Sequence, residues 1–254
     1  MRIHLIACRV LQRELSYFIS QSPQMIDVDW LHQGLHDTPD LLRKMVQSRM
    51  DQIHEDMQRR LLKHKPDVIA LGYGLCSNGV VGLTTSDIPL VIPRTDDCIA
   101  LFLGSQKRYL ELFETMNGSY WLNNGWIESS YDSTLSQQEQ RQRKWQQYAE
   151  EYGEENADFL LEQEELWIKN YNTCGYIFSN VYTNPRYEDV AKEMAANNHW
   201  GFKSFQGDER MLRLLTRGEW NDEEFLFCPP YHRVEAEYTG KKIRAVPLEV
   251  KEVK

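Results

Sequence analysis

The sequence predicts an α/β fold with a mostly parallel, doubly wound sheet or sheets, and three observations carry that prediction. Short apolar runs of strand length recur, as in Ile3-His4-Leu5-Ile6-Ala7, Val68-Ile69-Ala70-Leu71 and Leu90-Val91-Ile92. Amphipathic segments at helical spacing separate the early runs, which is the βαβ rhythm of a parallel sheet. Each of the three runs is followed, at once or after small and polar residues, by a cysteine: Cys8, Cys76 and Cys98. Ligands of open parallel sheets bind beyond the carboxyl ends of the strands, so these three thiols mark a candidate site.

Residues 3–8 read as the first strand and 10–19 as a helix with Leu11, Leu15, Phe18 and Ile19 on one side, broken at Ser22-Pro23. Residues 25–31 alternate as a second strand. Thr38 as N-cap and Pro39 at the first helical position open a long helix. Its apolar stripe runs through Leu42, Met45, Val46, Met50, Ile53, Met57 and Leu61. Lys65-Pro66 ends it and Val68 begins the third strand. After the glycine loop and the strand at Leu90, the residues Ile99, Phe102, Leu103, Tyr109, Leu110 and Phe113 form one further helical stripe, which Gly118 terminates. Residues 119–122 and 125–127 are aromatic and short, and read as an irregular crossover or hairpin. From Leu135 to Asn170 the chain is polar and helix-forming, two helices with a break near Gly153. Strands follow at 176–180, 200–205 and 224–228, with one helix capped by Asn184-Pro185 and another closed by Gly218.

The expected organisation is an N-terminal α/β lobe with the three-cysteine site (1–118), an aromatic crossover and helical segment (119–172), a C-terminal α/β section (173–230) and a charged, peripheral tail (231–254). Two Rossmann-like lobes joined by the helical middle, or one extended sheet, both fit.

A formal net charge of -9 with no basic stripe to offset it argues against a nucleic-acid or anionic-membrane partner. The densest basic group, Arg141, Arg143 and Lys144, sits among glutamines and glutamates and reads as a solvated helix face. No apolar run is long enough to span a bilayer, and MRIHLIACRV has neither the apolar length nor the cleavage pattern of a signal peptide. The expected location is the cytoplasm. Five cysteines in that reducing compartment are expected to be free, catalytic or metal-bound rather than disulfide-paired. None forms a CxxC pair, so any metal site must be assembled from distant strands.

The thiolate is the form of cysteine that binds metal or attacks an electrophile, and positive surroundings favour it; Arg9 beside Cys8 and Arg94 near Cys98 could supply that field. Three thiolates at Cys8, Cys76 and Cys98 would suit zinc with a fourth ligand, or an iron–sulfur cluster with one iron open. His36, Asp96, Asp97 or water would complete the shell. Free cysteine is also a small buried hydrophobe, and core packing is the reading for Cys174 and Cys228. The glycines after the third strand permit close backbone approach, so amides near Gly74, Ser77, Asn78 and Gly79 could cradle an anionic cofactor. Their spacing is neither GxGxxG nor a P-loop, and a plain tight turn is the rival account. Tyr73, between two glycines, is either exposed or lines the site. His36 is a candidate base or ligand, against a simple role of its segment in helix entry. Arg94 could bind a small anionic substrate with Asp97 as acid or base, against an internal Arg–Asp pair. A cysteine nucleophile with His36 or Asp97 as partner is therefore the alternative to a metal site.

The segments Gly72-Tyr73-Gly74-Leu75-Cys76-Ser77-Asn78-Gly79 with Gly82-Leu83, and Pro93-Arg94 through Asp97-Cys98-Ile99 to Leu103-Gly104-Ser105, resemble the domain of unknown function 1638 family. Cys8, Leu35-His36, Gly125-Trp126, Tyr152-Gly153-Glu154-Glu155-Asn156-Ala157 and Gly218-Glu219-Trp220 are similar to it as well, so the resemblance covers most of the chain up to about Pro230. Asp96 stands where many relatives carry histidine, so a ligand or base role at that position is here taken by aspartate or altered. The resemblance implies association with corrinoid-dependent methyltransferases of methylamine and related one-carbon metabolism. It points to an accessory metalloprotein or enzyme, or to a non-catalytic binding protein that presents a ligand to a methyltransferase, with a corrinoid protein or methyltransferase as partner, although no corrinoid-binding pattern is present.

Overall fold

The alternation of strands and helices is realised in a computed structural model, which describes residues 1–130, 137–238 and 240–248. β1 (Arg2–Cys8) passes through a 3-10 turn into α1 (Gln12–Ser20), with Leu11 and Leu15 fully buried. β2 (Met25–Leu31) follows. α2 (Pro39–Gln58) begins at its proline, but Thr38 makes no side-chain cap. Its backbone N–H instead closes the preceding 3-10 turn on the carbonyl of Leu35. The buried stripe of α2 is Leu42, Val46, Met50 and Ile53; Leu61 lies beyond the helix end and is exposed. β3 (Val68–Gly72) and β4 (Leu90–Pro93) are buried along their whole length, as continuous apolar runs in a parallel sheet should be.

The stripe expected as one helix is two, α3 (Cys98–Phe102) and α4 (Gln106–Thr115). The break falls at Gly104, with φ +79° and so little room that a Cβ would stand 2.5 Å from the carbonyl oxygen of Asp208. The aromatic segment is neither crossover nor hairpin: β5 (Ser119–Asn123) is a strand of a parallel sheet and runs directly into α5 (Asn124–Ser130). Leu135, expected to open the helical middle, lies outside the described residues. α6 (Gln137–Tyr152) and α7 (Glu154–Glu165) are separated at Gly153 as expected. β6 (Thr173–Phe178), α8 (Pro185–Asn197) and β7 (Gly201–Gln206) form the next α/β run, with the Asn184 side chain accepting from the Arg186 amide. α9 (Arg210–Arg217) stops at Gly218 in the left-handed region, and β8 (Phe225–Cys228) follows. The segment expected as a peripheral tail contains two strands, β9 (His232–Ala236) and β10 (Ile243–Pro247), and Val234 and Ile243 are fully buried. Alternation of apolar and polar residues, not overall hydrophobicity, makes them strands.

The strands form two parallel-type sheets rather than one extended sheet. The first has the order β2-β1-β3-β4-β8, parallel except for β8, which runs antiparallel to β4. The second is the parallel sheet β5-β6-β7, and β9 pairs antiparallel with β10. The chain divides into two compact units: residues 1–111, 179–182 and from 207 on; and residues 112–178 with 183–206. The second unit packs Leu122, Ile127, Cys174, Tyr176, Ala191 and Ala195 into its own core. In the first, the chain steps from β1 out to β2 and then back past β1 to β3. That reversal creates a topological switch point between the carboxyl ends of β1 and β3, the place where open α/β sheets bind ligands.

Candidate functional site

Cys8 is the last residue of β1, and Tyr73 and Cys76 lie in the loop leaving β3, so both sides of the switch point carry a thiol. The β3–β4 pairing continues past the strands: the amides of Leu75 and Cys76 donate to the carbonyls of Thr95 and Asp96, each at 2.8 Å. This holds Cys76 beside the segment that leads to Cys98, the first residue of α3. Gly74 makes the approach possible, since a Cβ there would stand 2.7 Å from Thr95 Oγ1 and 2.8 Å from the Asp97 backbone. Cys76, Ser77 and Asn78 then take three consecutive left-handed conformations, with φ of +46°, +57° and +65°. Strain of this kind in non-glycine residues gathers where function requires a particular backbone path.

The three thiols are electrostatically linked: Cys8 acts on Cys76, and both act on Cys98. Burial, then the carboxylate of Asp97 and the sulfur of Cys8, push the Cys76 thiol up to about 12. Burial also pushes the Cys98 thiol well up, followed by Asp97, Cys76 and Cys8. Cys8 is also raised by burial, offset in part by the Val10 amide and the Tyr73 hydroxyl. The charges acting on these sulfurs are negative, and the field expected from Arg9 and Arg94 does not depress any of them. Arg94 is instead spent on structure: Nε donates to the carbonyl of Asp222 at 2.9 Å and Nη1 to those of Lys241 at 2.7 Å and Ile243. Arg9 is exposed.

Asp97 is the N-cap of α3, accepting from the Ile99 amide at 2.9 Å through one oxygen and from Tyr109 at 3.3 Å through the other. Burial raises its carboxyl against those hydrogen bonds. Asp96 is held by Gln106 at 2.7 Å and Lys242 at 2.5 Å. His36 lies on the 3-10 turn Leu35–Asp37, 3.3 Å from Asp37. Ser77 and Asn78 are exposed, and Gly79 meets α2 so closely that a Cβ would lie 2.6 Å from Leu42 Cδ2. Among the described residues, no three His, Cys, Asp or Glu side chains are set as a ready-made metal cage. Cys174 and Cys228 are fully buried, and burial pushes both thiols up to about 11.

Two site residues escape the sequence reading or are left open by it. Tyr73 is buried among the thiols with its hydroxyl toward the Cys8 sulfur, and the buried Thr95 hydroxyl has no hydrogen-bond partner among the described residues. The available signal for Tyr73 was its place between Gly72 and Gly74, each pressed against a neighbouring segment; Thr95 had none.

Fold and site together define an α/β protein whose parallel sheet carries three thiols at its strand ends. More particularly, the chain belongs to the family described as Protein of unknown function (DUF1638), whose family model matches residues 30–215. That span contains the loops bearing Cys76 and Cys98, while Cys8 and Gly218-Glu219-Trp220 fall outside it. No curated protein and no solved structure gives a significant match. Among the described residues, no helix is long and apolar enough to cross a membrane.

Proposed function

We propose that this protein is a metalloprotein in which Cys8, Cys76 and Cys98 hold a thiophilic centre, either zinc or an iron–sulfur cluster. One observation carries the reading: three buried thiols from the ends of separate segments lie within one another's electrostatic reach, with the Asp97 carboxyl beside them. A cation would displace the thiol protons and draw the sulfurs into shared ligation. A cysteine nucleophile is less well supported, because it needs a depressed thiol and all three here are raised. The centre would supply Lewis acidity or electron transfer. The chain's own residues would position it, with Asp97 anchored by the α3 amides and by Tyr109.

The setting we infer is cytoplasmic one-carbon or methyl-transfer metabolism, with a corrinoid protein or methyltransferase as partner; family resemblance is its support. A Rossmann-like description of each unit rests on the βαβ order and the switch point. Metal and acid-labile sulfide analysis after anaerobic purification or reconstitution tests the proposal. We expect about one zinc, or iron with matching sulfide, per chain, and its loss when Cys8, Cys76 and Cys98 are changed together to serine. No metal in the wild type, or equal metal in the triple variant, would overturn the reading.

A further inference from the structure

We propose that the groove beside β2 binds a dianionic phosphate group, with His4 as its central contact and Arg2, Lys63 and His64 around it. The groove has a volume of about 560 Å³, and Asp27 and Asp29 line it together with those four residues. It is separate from the thiol site and does not depend on a metal there. Arg2 and His4 stand at the beginning of β1, whereas Cys8 ends it.

His4 is held there as an oriented imidazole, with 13% of its side chain exposed. Its Nε2 lies 2.8 Å from one oxygen of Asp29, and the other oxygen accepts from Arg49 at 2.5 Å. A carboxyl held at about 2 is ionised at neutral pH and can only accept, so the proton between the two belongs to Nε2. Nδ1 is then the nitrogen left for a ligand, and it has no partner among the described residues. A ring oriented in this way accepts from a phosphate hydroxyl when neutral and donates to a phosphate oxygen when protonated.

Both carboxylates of the groove are already matched, Asp29 by His4 and Arg49, and Asp27 by Arg2 at 2.8 Å. Arg2 keeps further N–H donors beyond those it turns to Asp27 and to the Met25 sulfur. Lys63 and His64 are exposed and enter no ion pair among the described residues. The uncompensated charge of the groove is therefore positive, in a chain whose formal net charge is -9. Several cationic donors converging on one small space suit a doubly charged oxyanion better than a single carboxylate.

Titration of the full chain with inorganic phosphate, followed through the histidine ring signals by NMR at fixed pH and ionic strength, tests this. Saturable shifts of the His4 and His64 rings are expected in wild type. Lys63→Ala should bind phosphate about tenfold more weakly, the loss of one charge-assisted hydrogen bond. His4→Gln keeps an amide donor for Asp29 but has no second ring nitrogen, and in it the His64 shift should need far more phosphate. Lys63 is exposed and in no ion pair, so Lys63→Ala reads the groove whether or not His4→Gln folds. No saturable shift in wild type, equal shifts with acetate at the same concentration, or undiminished affinity in Lys63→Ala would overturn the proposal and leave the thiol site untouched.

Discussion

Asp29 on β2 lies 2.8 Å from His4 Nε2 and accepts from Arg49 at 2.5 Å. The His4 hydrogen bond, outweighing the cost of burial, and the Arg49 guanidinium hold its carboxyl down at about 2. A depressed carboxyl contributes stability that is fully present above its unfolded value of 3.8 and is lost as pH falls through about 2. The shift corresponds to about 2 kcal/mol. Asp29→Asn should therefore lower the urea-unfolding stability by about that amount near neutral pH, with the gap to wild type closing in acid between pH ~4 and ~2. Single residues differ in how much their sequence context reveals. Cys8, Cys76 and Cys98 stood out because strand ends are readable from apolar runs. Tyr73 did not, because what makes it part of the site is the burial of one oxygen among sulfurs drawn from three segments. Arg94 misled for the same reason: its neighbours in sequence are Thr95 and Asp96, while its partners in space are carbonyls 128 to 149 residues away.

At the scale of elements, that arginine fastens β10 and the Asp222 turn to the end of β4. Its side chain is 5% exposed and donates to three carbonyls as well as to the Asp222 carboxylate at 3.3 Å. Arg94→Met keeps much of the packing but strands those carbonyls. We expect a loss of about 2–4 kcal/mol and faster amide hydrogen exchange in β10, with metal stoichiometry unchanged. A fall in bound metal without loss of stability would instead return Arg94 to the site. Elements with a long, regular pattern were readable in advance: α2, the pair α6 and α7 with their glycine break, and α8 behind its asparagine cap. β5 was not, because five residues rich in aromatics carry too little periodicity to separate a strand from an irregular turn. The split between α3 and α4 was hidden too, since apolar spacing continues across Gly104 and only the approach of Asp208 explains the break.

At the scale of the whole molecule, the α/β class follows from the order of strand and helix segments, and the thiol site follows from that class. A strand order of β2-β1-β3-β4-β8 puts the carboxyl ends of β1 and β3 side by side, and the extended β3–β4 pairing brings in the third cysteine. What the linear sequence did not convey is that the first sheet is completed from the far end of the chain. β8 joins after a second unit has been inserted, and β9 and β10 follow it. Return pairings of this kind leave no local mark, because neither strand's pattern names its partner. The central claim is that sulfurs from three separate strand ends ligate one centre. X-ray absorption at the metal edge of the anaerobically loaded protein tests it most directly. The account predicts a sulfur shell at about 2.3 Å that loses roughly one scatterer for each of Cys8, Cys76 and Cys98 changed to serine. A shell of nitrogen and oxygen alone, or one that none of those substitutions alters, would contradict it.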